Sequence, residues 1–146
     1  SGSSKDSRQA FKYICMDHIE AKIRQLNQQT KPFIICADWN IAHKKIDIKN
    51  WKANQKNSGF LPEERAWISK LLNEHQLTDT FREVNQEEHQ YSWWSNRGQA
   101  WQNNTGWRLD YHLSSPHFKN KVLGADIYKE ERFSDHAPVI IDYQSN

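Results

Sequence analysis

Three short stretches of this chain set a carboxylate at or near a predicted strand: Asp38 with Asn40 in IICADWN, Asp110 in WRLDYHL, and Asp135 with His136 in FSDHAPV. Each has an ordinary explanation. Asp and Asn close strands by bonding their own backbone, and an isolated Asp–His pair is more often structural than reactive. Together they offer more. Hard oxygen ligands hold Mg²⁺, which keeps several waters and takes one or two carboxylates plus substrate phosphate. A carboxylate or imidazole accepts the proton of an attacking water. A protonated histidine steadied by an aspartate meets charge developing on phosphoryl oxygens. The chemistry open to such a set is metal-assisted hydrolysis of a phosphodiester. Asp38 and Asn40 stand at the carboxyl end of a predicted strand, where α/β proteins tend to bind ligands.

Positioning them falls to a mixed set of helices and strands. Phe11, Ile14, Cys15, His18, Ile19, Ile23 and Leu26 recur at three- and four-residue spacing and predict a first helix with one apolar stripe. Ser3, Ser4 and Asp6 offer caps, and Lys31-Pro32 ends it. Phe33 to Ala37 reads as a strand apolar on both faces, as a central strand covered from both sides would be. Ile46 to Gly59 is polar and loop-like. Pro62 opens a second helix with Trp67, Ile68, Leu71 and Leu72 on its inner face. QYSWWS predicts a short aromatic strand. WRLDYHL predicts another, with Trp107, Leu109, Tyr111 and Leu113 on one face and Arg108, Asp110 and His112 on the other. A polar loop, Asn96 to Gly106, carries Arg97 between them. Two further apolar runs follow, Val122 to Tyr128 and Pro138 to Tyr143. No repeat, low-complexity tract or linker interrupts the chain, and the fold class is α/β, helices covering a sheet.

A chain of 146 residues predicts one domain. Aromatic content of 12%, with seven Trp, argues against disorder despite a mean hydropathy of −0.99. The net charge of +2 names no partner by itself. Cys15 and Cys36 read as two buried thiols of a reducing compartment, with no structural disulfide expected. No apolar run approaches the ~18 residues of a membrane span, and no signal peptide precedes the first helix. The expectation is a soluble, cytoplasmic protein with no membrane partner.

ADWNIAH, SGFLPEERAW, YSWW, NNTGWRLDYHLSS and FSDHAPV, in that order, resemble the exonuclease III family of AP endonucleases, within the endonuclease/exonuclease/phosphatase superfamily. The resemblance covers nearly the whole chain. SDH and DWN are shared across the superfamily, whereas WRLDY with the upstream YSWW and GFLPEER is specific to the AP-endonuclease branch. It implies a Mg²⁺-dependent nuclease, with Mn²⁺ as the alternative ion, acting on double-stranded DNA at abasic sites and 3′ ends. Asp38 would orient or deprotonate the attacking water, and Asn40 would hold that water or the scissile phosphate. Both would also lie at the metal. His136 would contact a phosphate oxygen, kept in place by Asp110. Asp135 would be a metal ligand or a partner to one. Trp93, Trp107 and Leu109 match the pocket that receives a flipped abasic sugar, and Arg97 lies in a loop that probes the duplex.

The resemblance also implies a partial fold. The family's four-layer α/β sandwich, the DNase I-like fold, has two similar halves, and residues 1–146 correspond to the C-terminal one. The chain opens at SGSS, after the place of a phosphate-contacting Tyr, and the early strands with a metal-binding Glu and an active-site Asn have no counterpart. Independently, PFIIC and PVIID are apolar on both faces, so the face left uncovered by the two long helices needs a partner. That partner would be the other half of the fold or a second copy of this chain. Two other readings use the same residues: a phosphatase of the same superfamily acting on small phosphorylated substrates, and a DNA-binding fragment without turnover.

Overall fold

The computed structural model describes residues 4–145, in two compact units: the helix α1 (Ser4–Gln28) with the residues around it, and the chain from Pro32 onward. Ser4 and Asp6 are helical residues rather than caps, and Ser3 lies outside the described residues. Asp6 in the first turn complements the helix dipole. The helix closes where Gln29 and Thr30 donate back to Leu26 and Asn27 and Thr30 takes φ 57, just ahead of Lys31-Pro32.

In the second unit β1 (Ile34–Asp38) is followed by a short 3-10 turn, Lys45–Asp47, and by the helices α2 (Trp51–Asn54) and α3 (Pro62–Asn73). Then come β2 (Thr78–Asp79), α4 (Thr80–Val84), β3 (Trp93–Trp94), β4 (Gly106–Trp107) and β5 (Asp110–Ser114). A hairpin of β6 (Val122–Ile127) and β7 (Val139–Tyr143) ends the fold. β5 is the middle of a three-stranded antiparallel sheet, with β1 on one side and β2 on the other. Its register sets Cys36 against His112 and Asp38 against Asp110. β3 pairs with β4, and a single bridge from Trp93 to His136 ties that pair to the segment before β7.

Two clusters of buried apolar residues bear on the polar stretches. Phe81, Tyr91, Trp94, Ile127 and Ala137 form one, with Trp101 packed on it. Ala42, Ile48, Phe60 and Leu109 form the other, with Trp51, Trp93 and Trp107 at its margin. The margin is where the apolar interior meets the three polar stretches.

Three expectations need correction. β1 is an edge strand, paired only with β5 among the described residues, and Cys36, Ala37 and Asp38 are exposed. Its apolar character on both faces therefore does not mean cover from both sides, and Cys36 is not a buried thiol; Cys15 is half-buried, and both are free. The segment Ile46 to Gly59 is not an open loop: Asp47 is 1% and Ile48 2% exposed. WRLDYHL is two strands, β4 and β5, broken at Arg108.

The break has a physical cause. Arg108 turns inward, 1% exposed, and its guanidinium donates to Asp47 Oδ1 at 2.7 Å and to both oxygens of Asp79 at 3.1 and 2.6 Å. Arg82 adds two bonds to the same Asp47 oxygen, at 3.1 and 2.8 Å. A buried guanidinium without carboxylates would cost several kcal/mol, so these partners allow the strand to give up its alternation here. Burial alone would raise the Asp47 pKa, but Arg108 and Arg82 outweigh it and hold the carboxyl at about 2.

Candidate active site

At the end of β1, Asp38 Oδ1 accepts the backbone N–H of Asn40 at 2.8 Å, and Asn40 turns the chain at φ 54. This is the strand-closing turn that Asp and Asn favour, and it also fixes Asp38. Trp39 anchors the turn from below. Its N–H reaches Leu109 O at 2.8 Å, its indole donates to Tyr111 O at 3.2 Å, and its ring packs near Trp67. The strand-closing turn is thus what fixes the Asp38 carboxylate in place.

Cross-strand pairing places Asp38 and Asp110 side by side, and the His136 imidazole stands between them. His136 Nδ1 lies 2.9 Å from Asp110 Oδ2 and Nε2 lies 3.7 Å from Asp38 Oδ2. Burial disfavours the charged imidazole. The hydrogen bond to Asp110 and the charges of Asp110, Asp38 and Asp135 prevail and raise the His136 pKa above its ordinary 6.5. Burial raises the Asp110 pKa, against the hydrogen bonds from Ser92 and His136. The imidazole stands between two carboxylates, with Nδ1 on Asp110 and Nε2 on the Asp38 side.

The anchor itself rests on Ser92, which is fully buried. Ser92 Oγ donates to Asp110 Oδ2 at 2.7 Å and accepts the N–H of Leu109 at 2.9 Å and of Asp110 at 3.1 Å. Its backbone accepts from Ala137, the residue after His136, at 2.8 Å. One hydroxyl thus fixes the start of β5 and the carboxylate that holds the histidine. Sequence reasoning treated this serine only as part of YSWW. The available signal was a serine inside an aromatic strand, where a buried hydroxyl needs partners.

Beside the imidazole lies a cavity of about 220 Å³ lined by Asn40, Ser58, Trp93, Trp107, Leu109 and His136. Trp93 and Trp107 meet edge to face with centroids 6.1 Å apart. Trp93 Nε1 donates to Asp135 Oδ2 at 3.1 Å, and Trp94 N donates to Asp135 O at 3.1 Å. Gly59 forms part of the support: at φ 97 it approaches Trp107 so closely that a Cβ would sit 2.8 Å from the ring. Glu64 Oε1 accepts the N–H groups of Gly59 and Leu61 at 2.8 and 3.0 Å, which explains why GFLPEER and WRLDY occur together. Ser58 was not singled out from the sequence. Arg97 does not line the cavity; it is exposed in its loop, with its N–H on Ser95 Oγ at 3.1 Å.

One oxygen of Asp38, one of Asp110 and a ring nitrogen of His136 lie within 4.8 Å of one another, a group able to hold a metal ion. A hard cation would not use all three. His136 Nδ1 is hydrogen-bonded to Asp110, and an imidazole nitrogen is not the hard oxygen donor that Mg²⁺ takes. Asp38 and the Asn40 carboxamide are the oxygen donors that suit Mg²⁺, whose remaining positions are ordinarily water and phosphate. Asp38 Oδ2, 3.7 Å from His136 Nε2, is a carboxylate oxygen of the kind such an ion takes.

Residues 3–136 match the endonuclease/exonuclease/phosphatase family. An exodeoxyribonuclease of Bacillus subtilis is 45% identical over 112 residues, covering 76% of this chain and 44% of that protein. The DNA repair nuclease APEX1 of Danio rerio is 40% identical over 112 residues, covering 76% of this chain and 36% of its own length. In three dimensions, a 3′-5′ exonuclease from Neisseria meningitidis superposes with a TM-score of 0.87 at 26% identity, covering 99% of this chain and 57% of the neighbour. The chain belongs to the endonuclease/exonuclease/phosphatase family, in its exonuclease III branch, and has the DNase I-like α/β fold. It spans less than half the length of the two curated relatives just named. No described helix is long and apolar enough to cross a membrane.

Proposed function

We propose that this chain is the C-terminal half of a metal-dependent phosphodiester hydrolase that cuts DNA at abasic sites and trims 3′ ends. The observation that carries the reading is the His136 imidazole in the wall of a small cavity that Trp93, Trp107 and Leu109 also line, together with Asn40 and Ser58. A deoxyribose without its base is compact and presents apolar faces, and it must leave the helix for chemistry to reach it. Two indoles and a leucine suit that sugar better than a polar ring, which weighs against a phosphatase of small phosphorylated substrates. Intact nucleotides are larger than the sugar alone and stay stacked in the duplex.

With the sugar in the cavity, its phosphate faces His136 and Asn40. The Nε2–H of His136 donates to the phosphoryl oxygen on which charge grows, and Asp110, braced by Ser92, keeps the ring turned to it. Asp38 orients the attacking water and takes its proton. Asn40 holds the water or the phosphate. Asp38 and Asn40, with Asp135 nearby, would hold Mg²⁺ or Mn²⁺, which when bound neutralises phosphate charge and polarises it toward attack. Arg97, out on its loop, meets the duplex away from the bond that breaks.

The remaining wall of the site is supplied by the other half of the fold, which packs against the exposed side of β1. Positioning of reactants can account for about 7–11 kcal/mol of a barrier, so half a site does not turn over. The test is Mg²⁺-dependent cleavage of an abasic duplex by this polypeptide alone and mixed with the N-terminal half, with Asp38→Asn as the control for contaminating nuclease. Cleavage at the abasic position only in the mixture is expected, with self-association of the polypeptide when alone. Cleavage by the polypeptide alone, abolished in Asp38→Asn, would show that the metal site is complete within these residues.

A further inference from the structure

The segment joining β6 to β7 is closed by Tyr128 N on Pro138 O at 2.9 Å, and it ends in Asp135 and His136 of the site. Its middle is not used there. Lys129 to Phe133 are all exposed, and the Phe133 ring is 69% so. The ring is nonetheless held in order. It lies parallel to Tyr128, with centroids 6.2 Å apart and planes 14° from one another, within the range of offset stacking. Next to it, the Arg132 guanidinium sits 4.9 Å from the Trp101 centroid and donates to Asn96 Oδ1 at 3.2 Å. These contacts dock the segment on the loop that carries Arg97. At 3.8 Å per residue, the Cα of Phe133 lies no more than about 11 Å from that of His136.

We infer that Phe133, backed by Tyr128 and flanked by Arg132, is a stacking ledge for an unpaired nucleobase of DNA next to the bond being cut. The inference rests on the nuclease reading above and adds a preference to it, for frayed or single-stranded 3′ ends over fully paired DNA. A flat apolar ring that is exposed yet already ordered pays little to accept a base, and every base has a face to offer. Charge is not the source of the preference: Lys129 and Arg132 are offset by Glu130 and Glu131 within the same segment. In a paired duplex the bases are stacked on one another and the ledge has nothing to take.

The experiment measures the affinity of the full-length protein, in Ca²⁺ to prevent cleavage, for a DNA hairpin with a 3′ single-stranded tail and for a blunt hairpin. Phe133→Ala should weaken binding of the tailed probe by about 5- to 100-fold and leave the blunt probe unchanged. Phe133→Trp should restore the tailed probe, and an unchanged melting temperature would show that the exposed ring is not needed for folding. Equal affinity of wild type and Phe133→Ala for the tailed probe, or an equal loss on both probes, would overturn the ledge while leaving the nuclease reading intact. Failure of the wild type to bind either hairpin would overturn both.

Discussion

Ser92→Ala removes a single oxygen from the interior and should disturb both stability and the histidine it never touches. Two buried or half-buried N–H groups, of Leu109 and Asp110, lose their acceptor, and Asp110 loses one of its two donors. Leaving a buried polar group unpaired costs about 1–3 kcal/mol, so a total near 3 kcal/mol is expected, a large share of an ordinary domain's margin. The hydrogen bond from Ser92 also lowers the Asp110 pKa. Without it the carboxyl protonates at higher pH, and the Asp110–His136 pair comes apart earlier on acidification. Urea unfolding gives the first effect, and the imidazole NMR shifts of His136 followed against pH give the second. Ser92→Thr keeps the hydroxyl and should restore both. An alanine variant with the wild-type midpoint and titration, or a threonine variant no better than alanine, would refute the role given to this serine.

Other perturbations separate the site from its scaffold. In the complete enzyme, His136→Ala should lower kcat by about 10²–10³ with little change in duplex binding, the scale for one lost donor to a developing oxyanion, and single-turnover rates check it. Because the His136 pKa is raised, activity that needs the imidazolium should persist to higher pH than an ordinary histidine would allow and fall as pH rises through the raised value. A rate that keeps climbing through that value would mean a neutral histidine. The Asp47 carboxyl is depressed to about 2, so its contribution of roughly 2 kcal/mol is present above about pH 4 and lost as pH falls toward 2. Asp47→Ala, which leaves Arg108 with Asp79 alone and removes the carboxylate partner of Arg82, should cost about 3 kcal/mol at neutral pH, the low end for a broken buried pair, and flatten that acid transition, as denaturant curves at several pH values will show.

Much of the site was legible before any coordinates because its reactive groups sit at the ends of apolar runs. Asp38 and Asn40 follow such a run, Asp110 interrupts one, and Asp135 and His136 precede one; the structure gathers Asp38, Asp110 and His136 within one small volume. Trp93, Trp107 and Leu109 do line one cavity, although a stripe of large apolar residues reads equally well as core. Ser92 and Ser58 were hidden because serine has no period or motif of its own here, and only a partner shows what its hydroxyl is for. Arg108 was misplaced because alternation assigns a face by parity alone. Parity fails where a strand breaks, and the cause of this break, Asp47 and Asp79, lies far away in sequence. The exposure of β1 was hidden for another reason: apolar residues on both faces state what a strand needs, not whether this chain supplies it.

The claim that the cavity selects a sugar without its base is tested most directly by Trp107→Ala in the complete enzyme. Cleavage is measured on an abasic duplex, and affinity on abasic and intact duplexes at two salt concentrations. Phosphate contacts dominate affinity for intact DNA and reveal themselves through its salt dependence, which the indole does not share. The expected result is slower cleavage at the abasic site, with affinity for intact duplex and its salt slope unchanged. Unchanged abasic cleavage, with binding weakened equally on both duplexes, would mean that Trp107 is only part of the packing and that the cavity does not choose the substrate.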